Sequence, residues 1–166
     1  MAVPGLYALR DIQLAIAADP DRWRPLVVTN GCFDLLHAGH VRYLNAAREL
    51  GAALVVGLNS DRSVQQIKPA APGRPPRPIV PEQERAEVLA ALRAVDAVVL
   101  FSETTAASLL EVLQPDIYVK GGDYKIETLP EAKIVQAYGG QIVLVDIEVP
   151  ASTTAIVERI LAAGQR

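Results

Sequence analysis

The run Pro25-Leu26-Val27-Val28-Thr29-Asn30-Gly31-Cys32-Phe33-Asp34-Leu35-Leu36-His37-Ala38-Gly39-His40 decides the fold. Its first part, over Pro25 to Asn30, is a continuous apolar stretch that reads as a buried strand. Beyond it, Val41, Leu44 and Ala47 recur at helical spacing, with Gly51 as a stop. A strand thus passes into a helix through a loop that carries both histidines of the chain. They lie three apart with a glycine between them.

The same alternation continues outward. Strands are expected over Ala53 to Leu58, Ala97 to Phe101, Asp116 to Val119 and Gln141 to Val145. Helices are expected through Val88, Leu92 and Val95, over Ala106 to Leu113 and over Pro130 to Tyr138. A last helix presents Ile156, Val157, Ile160 and Leu161 on one face. Apolar strands separated by helices imply an α/β fold, a Rossmann-like doubly wound sheet of five parallel strands covered on both faces. Residues 1–24 read as an N-terminal helical extension and 25–166 as the main domain. Ligands of such sheets sit beyond the carboxyl ends of the strands, so the strand-to-helix loops should carry the chemistry.

Composition narrows the partners. The 166 residues fit one domain, and a net charge of −3 argues against non-specific nucleic-acid binding. The single cysteine, Cys32, cannot form an internal disulfide, which suits a reducing, cytoplasmic setting. The first residues lack the pattern of a signal peptide, and no apolar run approaches a membrane span, so no membrane partner is expected. One stretch breaks the α/β pattern: residues 68–81 hold six of the twelve prolines and should be extended and stiff. Composition alone favours a solvent loop, while its cations Lys68, Arg74 and Arg77 leave open a lid over a phosphate site.

The histidine loop suits anions. A helix start offers unpaired N–H groups and the positive end of the macrodipole. Residues three apart face one side, Gly39 clears room for a phosphate, and each imidazole adds a donor. A zinc site is not expected, because two histidines and one thiol in the preceding turn are too few ligands. Cys32 reads as a packed thiol, since no third group orients it as a nucleophile. Gly121-Gly122 after the fourth strand allows a ligand close to the backbone, or serves a turn. Ser152, Thr153 and Thr154 precede the last helix. One cap needs one hydroxyl, and no Glu or Gln closes a capping box, so phosphate contact is favoured.

TNGCFDLLHAGH resembles the HxGH signature of the cytidylyltransferase-like nucleotidyltransferases. VVGLNSD (Val55 to Asp61), RPIVPEQERAEVLAALRAVD (Arg77 to Asp96), VKGGDY (Val119 to Tyr124), the YGG at Tyr138 to Gly140 and STT (Ser152 to Thr154) extend the likeness from Val27 to Ile160. Within the superfamily, VKGGDY and STT are similar to the bacterial D-glycero-β-D-manno-heptose 1-phosphate adenylyltransferases. The proline-rich loop is a few residues longer than such chains usually carry.

That resemblance implies adenylyl transfer from ATP to a heptose 1-phosphate in ADP-heptose biosynthesis, with Mg²⁺ on the triphosphate, a separate kinase supplying the sugar phosphate, and a homodimer. It implies that His37, His40, Lys68 and Arg85 act on the reacting phosphates. Thr29, Asn30, Gly31 and Phe33, with Asp34 at the border, would form the loop against which nucleotide and phosphates lie. Lys120, Gly121, Gly122 and Asp123 would shape the site after the fourth strand, and Ser152, Thr153 and Thr154 would touch triphosphate oxygens. No metal ligand is assigned. The signature alone leaves two other readings open: a cytidylyltransferase acting on glycerol or ethanolamine phosphate, and an inactive nucleotide-sensing module. A class I aminoacyl-tRNA synthetase fragment fails on length, the lack of a KMSKS-like loop and the acidic balance.

Overall fold

The computed structural model describes residues 3–122, 124–146 and 152–164. Among these, the strands are β1 (Leu6–Tyr7), β2 (Leu26–Gly31), β3 (Ala53–Asn59), β4 (Ala97–Phe101), β5 (Ile117–Gly121) and β6 (Gln141–Val145). All pair in parallel, in the order β1-β4-β3-β2-β5-β6. The helices are α1 (Leu9–Ala18), α2 (Pro20–Trp23), α3 (Ala38–Arg48), α4 (Asp61–Ile67), α5 (Glu82–Ala90), α6 (Ala107–Leu113), α7 (Ala132–Ala137) and α8 (Thr153–Ala163). No helix among the described residues is long and apolar enough to cross a membrane.

Alternation along the strands builds two apolar layers. Leu26, Val28, Val55, Ala97 and Val99 point to a cluster completed by Ile12, Ile16, Trp23, Leu109, Leu110 and Val135. Val27, Leu54, Val56 and Val98 point the other way, to Tyr43, Leu44, Ala86 and Leu89. The sheet is therefore buried on both faces, as its near-continuous apolar strands require. Helices α1, α6 and α7 cover one face, and α3 and α5 cover the other.

The sheet has six strands rather than the expected five. The extra one, β1, spans two residues and pairs with β4 through Leu6↔Val98 and Tyr7↔Val99. Two residues are too few to show a period. The segment before Pro25 is built into the same core, because Ile12, Ile16 and Trp23 are all buried.

Two helices also depart from expectation. Helix α5 ends at Ala90, so Leu92 and Val95 lie in the turn leading to β4, while Val88 is 49 % exposed. Its buried side is Arg85, Ala86 and Leu89. Helix α4 had no apolar stripe to announce it, since Val64 is its one buried apolar residue. Its cap was readable: Ser60 Oγ accepts from Ser63 N at 3.2 Å.

The chain winds from β2 through β3 to β4 on one side, then returns to place β5 against the opposite side of β2. That reversal opens a crevice beyond the carboxyl ends of β2 and β5, where such sheets hold ligands.

Candidate active site

The crevice is a cavity of about 520 Å³. Its lining includes Asn30, Gly31, Phe33, His37, Gly39 and His40 from the β2–α3 connection, Lys120 to Gly122 from β5, and Lys68, Arg77 and Thr153 from the flanks. One cavity thus gathers residues that lie more than a hundred positions apart in sequence.

The two histidines are held by the start of α3. His37 is its N-cap, with Nδ1 accepting from Gly39 N at 3.1 Å. That bond places the proton of the neutral ring on Nε2. The imidazoles of His37 and His40 stack at 4.0 Å between centroids. Phe33, at φ +44, turns its ring towards His40 at 5.3 Å. A non-glycine residue in this left-handed region is uncommon, and such conformations gather at functional sites. Burial pushes His37 below the usual histidine value. Burial, then the neighbouring His37 and Lys68, pushes His40 down to about 4. Both shifts favour the neutral rings. His40 Nδ1 is buried with no partner among the described residues.

Asn30 sets the floor. Its Oδ1 accepts from Tyr118 hydroxyl at 2.6 Å and from Lys120 Nζ at 3.0 Å. With its oxygen so engaged, its amide N–H groups are left for other acceptors. The Lys120 ammonium also lies 5.2 Å from the Tyr124 ring and 5.7 Å from the Tyr118 ring. Burial lowers its pKa. Thr29 is buried beneath the floor, where its hydroxyl pairs with the Tyr43 hydroxyl at 2.6 Å. The Tyr43 hydroxyl also donates to Val119 O at 2.9 Å, tying β2, α3 and β5 together. Thr29 therefore supports the floor from below and does not line the cavity.

The glycines after β5 have two different reasons. A Cβ on Gly121 would stand 2.9 Å from the Tyr43 ring, so glycine permits that close packing. Gly122 sits at φ +84 in open space, where the backbone conformation itself favours glycine. Asp123 lies outside the described residues.

The structure separates three other expectations. Arg85 does not line the cavity. Its side chain is fully buried, with Nε donating to Val80 O at 2.8 Å and Nη1 to Cys32 O at 2.6 Å and Asn59 O at 2.9 Å. Its Nη2 donates to Asp61 Oδ1 at 2.7 Å. The expected phosphate contact gives way to a brace between the β2, β3 and proline-rich loops.

Asp34, at the border of the histidine loop, is a clasp. Its carboxylate accepts from Ile79 N at 2.8 Å and Val80 N at 2.9 Å, and pairs with Arg77 Nε. The three hydroxyl residues divide. Ser152 Oγ caps α8 by accepting from Ala155 N at 3.1 Å, Thr153 lines the cavity, and Thr154 lies beside Arg74 and Val157 under the proline-rich loop.

Among the charged cavity residues, Arg77 is expected from sequence only as part of a lid, and Glu131 is not expected at all. Arg77 lines the wall, with Nη2 buried and without a partner among the described residues. Its signal was its place among three loop cations. Glu131 lines the cavity and is 4 % exposed. An acidic residue at a helix start is ordinary, which hid it. Cys32 also lines the cavity, and burial pushes its thiol up, away from the nucleophilic thiolate.

No group of three His, Cys, Asp or Glu converges to hold a metal among the described residues. Stacked imidazoles, three cations (Lys68, Arg77 and Lys120), a helix start and a glycine turn surround one cavity, an arrangement suited to an anion.

The bifunctional protein HldE of Syntrophotalea carbinolica is 50 % identical over 154 residues, 93 % of this chain. This chain spans 30 % of that protein's length. The lipopolysaccharide core biosynthesis protein from Thermoplasma volcanium is 28 % identical, with a TM-score of 0.57, over 75 % of this chain and 97 % of that one. Pantoate-beta-alanine ligase from Francisella tularensis shares the fold at 13 % identity, with a TM-score of 0.60 over 97 % of this chain and 79 % of its own. A cytidylyltransferase-like family model matches residues 28–159, from β2 through most of α8, and on that match the chain belongs to the cytidylyltransferase-like family.

Proposed function

We propose that the protein transfers AMP from ATP to D-glycero-β-D-manno-heptose 1-phosphate, giving ADP-heptose and pyrophosphate. The observation that carries nucleotidyl transfer is the stacked His37–His40 pair at the start of α3, facing the same cavity as Lys68, Arg77 and Lys120. The choice of ATP and heptose phosphate rests on VKGGDY and STT, on the 50 % identity to a bifunctional HldE protein, and on the likeness to a lipopolysaccharide core biosynthesis protein.

The acceptor's phosphate oxygen is already an anion at neutral pH, so it attacks the α-phosphorus without a general base. Its bond to phosphorus forms as the bond to the pyrophosphate oxygen breaks, and pyrophosphate leaves with that electron pair. The protein's task is to align two anions and stabilise the charge that builds on the transferring and departing phosphates.

His37, with its proton on Nε2, donates to a phosphate oxygen. His40, stacked on it, offers a second ring N–H and gains a proton more readily once a phosphate is near. Lys68 and Arg77 Nη2 neutralise phosphates at the cavity wall. The Asn30 amide donates from the floor, and Thr153 adds a hydroxyl. Arg85 acts at a distance by holding the Cys32 and Asn59 carbonyls in place.

Mg²⁺ is proposed as the companion of the triphosphate. Of the cavity carboxylates, Asp34 is engaged by the proline-rich loop, and Glu131, which accepts from Ala106 N at 3.1 Å, stands alone. No protein ligand set is assigned, and the ion is expected to be held by phosphates and water. A homodimer is expected from the family resemblance alone.

Pyrophosphate release with Mg²⁺, from ATP and CTP each against heptose 1-phosphate, glycerol 3-phosphate and ethanolamine phosphate, tests the reading. Release only with ATP and heptose 1-phosphate is expected. Release with CTP and another phosphate overturns the substrate pair. Absence of release with every pair, from folded protein that binds nucleotide, overturns the enzyme reading in favour of a sensing module.

A further inference from the structure

A carboxylate in a cavity built for phosphates needs an explanation. Glu131 is buried, at 4 % exposure, and precedes α7. Its Oε1 accepts from Ala106 N at 3.1 Å, which fixes the side chain against the start of α6. It forms no salt bridge among the described residues, although its charge favours the nearby Lys120 ammonium, which bonds Asn30. Position separates it from the histidines. Helices α6 and α7 cover one face of the sheet, while α3, which carries His40, packs on the other. The cavity is therefore uneven, with His37, His40, Lys68 and Arg77 on one side and Glu131, with Lys120 as its neighbouring cation, on the other.

A phosphate placed against Glu131 would meet a like charge at short range in a poorly screened site. The part of the substrate that fits there is neutral and rich in hydrogen-bond donors. Sugar hydroxyls meet both conditions. A carboxylate has about four acceptor positions, of which Ala106 N takes one. Thr104 and Thr105, from the loop before α6, add hydroxyls to the same lining.

We infer that Glu131 accepts hydrogen bonds from a pair of adjacent hydroxyls on a sugar ring, and thereby selects the sugar that the cavity holds. The inference rests on the proposed reaction, which brings two such rings: the ribose of ATP and the heptose of the acceptor. Both have the chemistry that Glu131 requires, and the test separates them.

Glu131→Gln keeps an oxygen for Ala106 N and removes the charge and one acceptor edge. The expected result is a rise of about 10- to 100-fold in KM for one substrate, the range for losing hydrogen bonds to a charged group. A smaller fall in kcat and an unchanged KM for the other substrate should accompany it. If the ribose is the partner, 2′-deoxy-ATP or 3′-deoxy-ATP is used equally poorly by the parent and by E131Q. If the heptose is the partner, a ring-deoxy heptose 1-phosphate behaves so instead.

Both KM values within twofold of the parent overturn the assignment. So does a drop in melting temperature accompanied by equal losses on normal and deoxy substrates, which marks a purely structural residue. Calorimetric titration of ATP and of heptose 1-phosphate, each with its deoxy analogue, into parent and E131Q gives the same comparison without turnover. An inactive parent that still discriminates the hydroxyls through Glu131 sinks the reaction and leaves this assignment standing.

Discussion

Arg85→Met separates two roles for a residue that a motif would place on the phosphates. In the structure, the guanidinium supplies the donors for three backbone carbonyls, those of Cys32, Asn59 and Val80, and for the Asp61 carboxylate. Methionine refills much of the volume but donates nothing. Each buried carbonyl left without a donor costs about 1 kcal/mol or somewhat more, so the loss should be about 3–4 kcal/mol. The Asp61 side chain is 36 % exposed and recovers water, so it adds little. In a chain of this size, 1 kcal/mol moves Tm by roughly 2–4 °C, which gives a fall of about 10 °C by calorimetry or circular dichroism.

Activity at 20 °C should fall as well, because the Cys32 carbonyl is part of the loop that presents the histidines. Arg85→Lys should recover little, since one ammonium cannot reach four oxygens arranged around a planar fork. A variant that melts within about 2 °C of the parent yet loses activity by a hundredfold would refute the reasoning. It would return Arg85 to direct contact with phosphate.

His37→Ala and His40→Ala should each lower pyrophosphate release by roughly 10²–10³, the loss typical of one preorganised charge-stabilising donor; a loss under fivefold in either removes its assigned role. Arg77→Gln should raise KM for a phosphorylated substrate about tenfold with Tm lowered by only a few degrees, measured by steady-state kinetics and melting, because the Ile79 and Val80 amides keep Asp34 occupied. The protein should lose stability as pH falls from 6.5 towards 4, because His40 binds its proton less readily when folded (about 4, against an ordinary 6.5). Its contribution is complete above pH 6.5 and declines below it. At about 1.36 kcal/mol per pH unit the ceiling is near 3 kcal/mol, and partial exposure reduces this to about 1–2 kcal/mol. Chemical denaturation across that range checks it, and His40→Asn should flatten the dependence.

The alternating strands and the histidine loop were legible because each rests on local signals: a run of apolar residues, a glycine, two histidines at one spacing. What was missed is non-local. Strand β1 exists because β4 offers it an edge, and nothing within Leu6-Tyr7 announces that. Arg85 sits among ordinary helix formers, and only the folded chain brings the Cys32, Asn59 and Val80 carbonyls around it. Glu131 gains its interest from a cavity assembled by β2, β5 and α6. The serine of the hydroxyl cluster turned out to be the simple cap, because α8 begins directly after it and Ala155 N faces its oxygen. Lys120 was expected at the site and is there, yet its ammonium is bound to Asn30, a pairing across β2 and β5 that spacing in sequence does not encode.

The Asp34 clasp has a consequence for how this chain can be cut and rejoined. The proline-rich segment leaves the domain at Lys68, whose N–H bonds Val64 O at 2.8 Å, and returns at Arg77, which Asp34 holds. Between these anchors, Gly73 stands at φ +71 with nothing within 4 Å of an added Cβ. The outer part of the loop is thus a hoop with both feet fixed, tied once along its span by Arg74 to Glu158 of α8. Doubling the length of such a hoop adds only about 0.6 kcal/mol of closure entropy, so extra residues there leave the site untouched. The same geometry makes the Gly73 region a place to open the chain. Two fragments meeting there would share one sheet, with β1, β2 and β3 on the first and β4, β5 and β6 on the second. β2 pairs with β3 within the first fragment and β5 with β6 within the second, but β4 lies between β1 and β3 and β2 against β5, so the six-stranded sheet is complete only when the fragments meet. Nucleotidyl transfer would then report their reassembly, turning an ornament of the loop into the seam of a split enzyme.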